Sequence, residues 1–112
     1  MNSLDSAARN IYAITSGKGF WDGYTEYASF PFYAYKLAMI HSEVTEVLEA
    51  IRKDKGGDQV VLEIADVIIR MLDLYEGLKV TGEIEDGLSL DKLIDQKLVE
   101  NSRRPNMHGV RG

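Results

Sequence analysis

Residues 37–79, LAMIHSEVTEVLEAIRKDKGGDQVVLEIADVIIRMLDLYEGLK, decide the fold. Apolar positions recur every three or four residues on both sides of Gly56-Gly57. Before the glycines the stripe is Leu37, Ile40, Val44, Val47 or Leu48, and Ile51. After them it is Val60, Ile64, Val67, Met71, Leu72, Tyr75 and Leu78. This period marks amphipathic helices and outweighs the β-branched runs Val60-Val61 and Val67-Ile68-Ile69, which sit inside it. The glycine pair breaks the pattern and lets the second helix fold back on the first. Pro31 is tolerated only in a first turn, so the first of these helices starts near it. The spacing predicts a polar turn over 53–58 and a second long helix from about Asp58 to Lys79.

Outward from this hairpin, Ser3 is a fitting N-cap for an earlier helix with Leu4, Ala8, Ile11 and Ile14 or Thr15 on one face. Gly17-Lys18-Gly19 stops it. Those glycines are not a phosphate loop, which needs a longer spacing and Ser or Thr after the Lys. Residues 19–30 read as an aromatic-rich loop, with Phe20, Trp21, Tyr24, Tyr27 and Phe30 packing a bundle end or forming a platform for a base. Residues 80–88 are an acidic connection, after which Ser89 caps a last helix with Leu90, Leu93, Ile94 and Leu98 on one side. Pro105 ends it, because the residue before a proline avoids helical geometry. The expectation is an all-α, four-helix-bundle-like fold in a single domain over residues 1–112.

The bulk numbers agree with one core and exclude several classes. A chain of 112 residues, 45% hydrophobic and 28% charged, suits an ordinary globular domain. No apolar run approaches the ~20 residues of a membrane span, and the first residues lack a signal-peptide pattern. With no cysteine there is no disulfide, thiolate ligand or cysteine nucleophile, which fits a cytoplasmic protein. A net charge of −5 argues against a nucleic-acid partner. From Lys97 onward, however, Lys97, Arg103, Arg104, His108 and Arg111 face only Glu100. That basic end is either a solvated tail or the phosphate-side partner of an acidic centre.

The acidic centre is two pairs, Glu43-x-x-Glu46 and Glu63-x-x-Asp66, each bordering a predicted buried stripe. Residues three apart share a helix face, so a folded-back hairpin brings these four carboxylates toward one seam. Such a cluster is costly unless a divalent cation occupies it, and oxygen-only ligands suit Mg²⁺. Paired metals would activate water and neutralise a phosphoryl leaving group. The bland readings are solvated flank acids and an Asp66–Arg70 ion pair one turn apart. Glu49 lies further round and reads as solvated. Di-iron bundles need E-x-x-H pairs, and His41 and Glu43 are only two apart.

The stretches Lys36–Arg52, Glu63-Ile-Ala-Asp66-Val-Ile-Ile-Arg70 and Lys97-Leu-Val-Glu-Asn101 resemble the MazG-type all-α nucleoside triphosphate pyrophosphohydrolases. The end Arg104-Pro105-x-x-His108-Gly109-x-Arg111 and the turn Gly19-Phe20-Trp21 resemble small single-domain members as well. The resemblance implies Mg²⁺-dependent hydrolysis of a (deoxy)nucleoside triphosphate to the monophosphate and pyrophosphate, with Mn²⁺ as a substitute. Glu43, Glu46, Glu63 and Asp66 would be metal ligands, with Glu43 or Glu46 orienting the attacking water. Lys97, Asn101 and Arg104 would contact phosphates or sugar, His108 would help close the site, and Trp21, Phe20 or His41 would meet the base. Many members carry Glu-Glu-x-x-Glu, whereas Ser42 stands in the first position here, which bears on metal number and on the general base. A homodimer or homotetramer is also implied, with no membrane partner. The competing expectation is a non-catalytic helical regulatory or interaction module that has kept the fold.

Overall fold

A computed structural model describes residues 3–105, and within them the protein is all-helical with four helices. They are α1 (Leu4–Gly17), α2 (Ser29–Arg52), α3 (Gly57–Val80) and α4 (Leu90–Ser102). No helix among the described residues is long and apolar enough to cross a membrane. The predicted boundaries are close to those observed, and the caps explain why. Ser3 and Ser89 are extended and accept hydrogen bonds through their side chains, from the Ser6 amide at 3.0 Å and the Lys92 amide at 3.2 Å. Each satisfies an amide that its helix leaves unpaired. A short 3-10 turn, Glu26–Ala28, precedes α2, whose start at Ser29 puts Pro31 in the first turn as expected and moves Phe30 out of the loop onto the helix. Asp54, at φ 53°, and Gly56, at φ 99°, supply the two positive-φ residues that turn the chain from α2 into α3, and the second is a conformation that glycine alone adopts readily.

The central element is α3. Both α1 and α2 pack against it, while α4 lies mainly against α1 and meets α3 where the Leu90 amide donates to the Tyr75 hydroxyl at 3.1 Å. One buried cluster joins Trp21, Tyr33, Ile40 and Leu74, with Tyr12, Tyr24, Phe32 and Leu78 packed around it. Trp21 reaches the core because Gly77 has no side chain, and a Cβ there would lie 2.0 Å from the indole. A second cluster, Ala7, Ala8 and Leu72, lies between α1 and α3.

The ends of α1 and α4 are tied by reciprocal capping. Asp91 accepts from the amides of Leu4 and Asp5, both at 3.0 Å. Asp5 in turn accepts from the Leu90 amide at 2.9 Å, the Ser89 hydroxyl at 2.5 Å and the Tyr75 hydroxyl at 3.0 Å. Each carboxylate sits at the positive end of the other helix. Burial alone raises the Asp5 carboxyl, but these hydrogen bonds outweigh it and bring the pKa down to about 2.

Burial departs from the predicted stripes. Of the α2 set only Ile40 is buried, and of the α3 set only Leu72. No α3 residue before Leu72 is buried, and α2 beyond Ile40 buries only Ala50. Leu48 and Ile51 are each 59% exposed, and Val44, Ile64 and Ile68 are exposed too. The physical reason is that two helices alone cannot enclose an apolar stripe; a third must cover it, and within one chain neither α1 nor α4 reaches the hairpin end. The predicted seam is therefore an open apolar arm. On α4, likewise, Leu93 and Leu98 are exposed. The Cα radius of gyration, 16.6 Å, exceeds the about 13 Å of a compact chain this long.

Candidate functional site

The hairpin brings Glu43 level with the Asp66–Arg70 turn of α3. Arg70 Nε lies 3.5 Å from Glu43 Oε1, so the arginine pairs across the seam to Glu43 rather than along α3 to Asp66. Glu63 accepts a hydrogen bond from Gln59 Nε2 at 2.8 Å. Glu43 and Glu63 are half-buried, whereas Glu46 and Asp66 are exposed. Glu49 is taken by Arg52 at 2.8 Å and Lys53 at 3.7 Å, which holds its carboxyl below the usual range.

The donor chemistry of the four acids suits Mg²⁺, but their arrangement does not hold one as it stands. Among the described residues, no three His, Asp or Glu side chains come close enough together to bind a metal ion. Glu43 Oε1 faces Arg70 and Glu63 Oε2 accepts from Gln59, which leaves the second oxygen of each carboxylate for a further ligand.

Beside Asp66 lies a cavity of about 410 Å³. Its wall is formed by α1 through Thr15, by the following loop through Phe20, by α2 and by α3. Charged groups on it are Lys36, Asp66, Arg70 and Asp73; Tyr35, Met39, Ile40 and Ile69 supply most of the rest. Asp73 is the one buried acid among the described residues, and burial of a carboxylate is tolerated only with hydrogen-bond donors aimed at it. Here the Thr15 hydroxyl donates to Oδ1 at 2.6 Å, and the Trp21 indole N–H is shared between both oxygens at 3.2 Å. Lys36 Nζ sits 4.1 Å from the centre of the Trp21 ring and 5.0 Å from that of Phe32, donating to the Phe20 carbonyl at 3.3 Å. Burial pushes the Lys36 ammonium down; the Asp73 charge pulls it up and the nearby Arg70 lowers it further.

The other expected site residues scatter. Trp21 is 7% exposed and its N–H is spent on Asp73, so it is a core ring rather than a surface platform. Phe20 is exposed and lines the cavity. His41 is exposed on α2, away from the cavity wall. Lys97, Asn101 and Arg104 lie at the exposed end of α4, with Lys97 3.7 Å from Glu100, and none lines the cavity. His108 lies outside the described residues.

Lys36, Arg70 and Asp73 are cavity residues to which sequence reasoning gave no site role. The signal for Asp73 was present, as an acid flanked by Leu72 and Leu74 within a predicted buried run. On α3, Glu63, Asp66, Arg70, Asp73 and Gly77 follow one another at spacings of three and four, a polar stripe that continues the acid pair into the cavity. No family model, curated protein or solved structure matches the chain.

Proposed function

We propose that this protein is a nucleoside triphosphate pyrophosphohydrolase of the MazG type, dependent on Mg²⁺ or Mn²⁺, that releases a monophosphate and pyrophosphate. The observation that supports it best is the cavity at the α2–α3 seam, where aromatic and cationic side chains adjoin Asp66 and where Arg70 reaches across to Glu43. Its volume of about 410 Å³ lies in the range of small-molecule sites. Phe20 and Tyr35 offer apolar faces to a base, and Lys36 and Arg70 offer positive charge to an anionic ester. Glu43 or Glu46 would orient the water that attacks phosphorus, with the pyrophosphate oxygen leaving opposite. A bound Mg²⁺ would neutralise the polyphosphate.

The exposed arm of α2 and α3 supports association into a homodimer or homotetramer. Val44, Leu48, Ile51 and Ile64 form a contiguous apolar hollow with Val47 and Val67, the kind of surface that monomers seldom expose. A second copy would both cover it and bring further side chains toward the acid pairs.

One observation favours the alternative, a non-catalytic helical regulatory or interaction module. Arg70 Nε lies 3.5 Å from Glu43 Oε1, so a side chain of the fold itself supplies positive charge to that acid. The two readings separate on a panel of nucleoside triphosphates incubated with Mg²⁺, assayed for pyrophosphate and monophosphate. Release with some member supports the hydrolase, and no release with any member sinks it. Glu63→Ala should abolish turnover while leaving the far-UV circular dichroism unchanged; retained activity would remove Glu63 from the ligand set. The module reading predicts that neither Mg²⁺ nor Mn²⁺ raises the melting midpoint.

A further inference from the structure

The cavity carries more cationic hydrogen-bonding capacity than the fold consumes. An ammonium has three N–H donors, and Lys36 meets only the Phe20 carbonyl, at 3.3 Å. Its nearest acid on the cavity wall, Asp73, is occupied by Thr15 and Trp21. The closest approach of Arg70 to Glu43 is Nε to Oε1 at 3.5 Å, and its guanidinium makes no hydrogen bond among the described residues. Lys36 and Arg70 therefore look into one cavity from facing helices, each with donors to spare. Their mutual repulsion, visible in the lowering of the Lys36 ammonium by Arg70, is the kind of cost that a bound anion removes.

We propose that Lys36 and Arg70 form a phosphate-recognition pair, holding a phosphate ester whose flat unsaturated body lies against Phe20 and Tyr35, without need of a metal ion. Guanidinium forks match phosphate oxygens, while an ammonium acts as a compact charge, so the pair supplies both direction and attraction. The proposal deepens the nucleotide reading, on which it rests for the identity of the ester, and moves phosphate recognition within one chain from the α4 tail to the cavity. It also gives Arg70 two competing partners. An anion that draws Arg70 in releases Glu43.

The test uses the full chain in EDTA. Deoxyadenosine and deoxycytidine monophosphates, inorganic pyrophosphate and unphosphorylated deoxyadenosine are titrated by calorimetry. Trp21 is the single tryptophan and lies under the Lys36 ammonium, so its emission is a second readout. At least one monophosphate should bind, with a change in Trp21 emission, about tenfold or more tighter than the nucleoside. Lys36→Met and Arg70→Gln should each weaken that binding about tenfold or more, the scale of one charge-assisted hydrogen bond, whereas Lys92→Met, at an exposed position of α4 outside the cavity, should not. No binding of any phosphate compound in EDTA overturns the proposal, as does equal binding of nucleoside and nucleotide or undiminished binding in both variants. Should Lys36→Met fail to fold, Arg70→Gln decides alone, since Arg70 is 46% exposed and supports no core. Metal-free binding without hydrolysis of any triphosphate leaves the phosphate site standing and removes the hydrolase. Hydrolysis with KM unchanged in both variants does the reverse.

Discussion

Substituting Gly77 by Ala should be among the most damaging single-methyl changes available to this protein. The new Cβ would lie 2.0, 2.4 and 2.6 Å from three carbons of the Trp21 ring, where carbon–carbon contact needs about 3.5 Å. The ring must retreat by about 1.5 Å, but it is boxed by Tyr12, Phe32 and Tyr33 with centroids at 5.2, 5.4 and 6.0 Å. Overpacking of this kind costs about 1–3 kcal/mol. Displacing the indole N–H from the Asp73 carboxylate adds about 1.5–3 kcal/mol. Alanine returns about 1 kcal/mol through its helix propensity. The net expectation is a loss of about 3 kcal/mol, or about 10 °C in Tm for a domain of this size. Urea melts followed by far-UV circular dichroism and tryptophan emission, at fixed protomer concentration, measure it. Gly57→Ala is the control, since a Cβ there meets nothing within 4 Å. Should Gly77→Ala prove as stable as the parent, the packing of Trp21 against α3 described above is wrong.

Asp5 is held at about 2 by its hydrogen bonds, so its stabilisation is present above the unfolded carboxylate pKa of about 4 and is lost as pH falls through about 2. Asp5→Asn should flatten that acid limb in urea melts between these pH values, and an unchanged limb would refute the assignment. Thr15→Val removes the 2.6 Å donor to buried Asp73 and should cost about 1–3 kcal/mol in the same melts, against nothing measurable for Ser16→Ala on the exposed side. If the apolar arm is covered by a second copy, Leu48→Asp with Ile51→Asp should convert the assembly to monomers in sedimentation velocity while keeping the helical signal. An unchanged sedimentation coefficient would place the interface elsewhere.

The helices, their caps and the hairpin turn were legible because each rests on local chemistry: Ser3 and Ser89 as caps, Pro31 in a first turn, Gly56 at a positive-φ position. What periodicity could not reveal was which stripe residues find a covering helix. Val44 and Ile40 have the same place in the pattern, yet one is half-exposed and the other buried. The difference is made by α1 and the Trp21 loop, which cover only one end of the hairpin. Asp5 and Asp91 were equally hidden, because reciprocal capping joins two residues that are 86 positions apart in the chain. Arg70 illustrates the limit most clearly. Its sequence neighbour Asp66 is four residues away, but folding offers Glu43 of α2, and the cross-seam partner takes it.

One stripe of α3 links the stability of this fold to its cavity. Gly77 seats the Trp21 ring, Asp73 anchors its N–H, and the face of that ring supports the Lys36 ammonium. One and two turns earlier, Arg70 and Asp66 stand on the wall of the same cavity. A helix that needed only to pack would carry an apolar residue at position 73, since a carboxylate taken from water there requires its own partners. Asp73 has such partners in Thr15 and Trp21, and Arg70 has only a long contact to Glu43. The partnering thus weakens from Asp73 to Arg70 along the stripe, while Glu63 at its far end is held by Gln59. A ligand entering the cavity therefore meets rigid groups at the Trp21 end and adjustable ones at the Arg70 end. It follows that changes at Gly77 or Asp73 should disturb binding through Lys36, whereas changes at Arg70 should alter binding and leave the melting midpoint nearly unchanged.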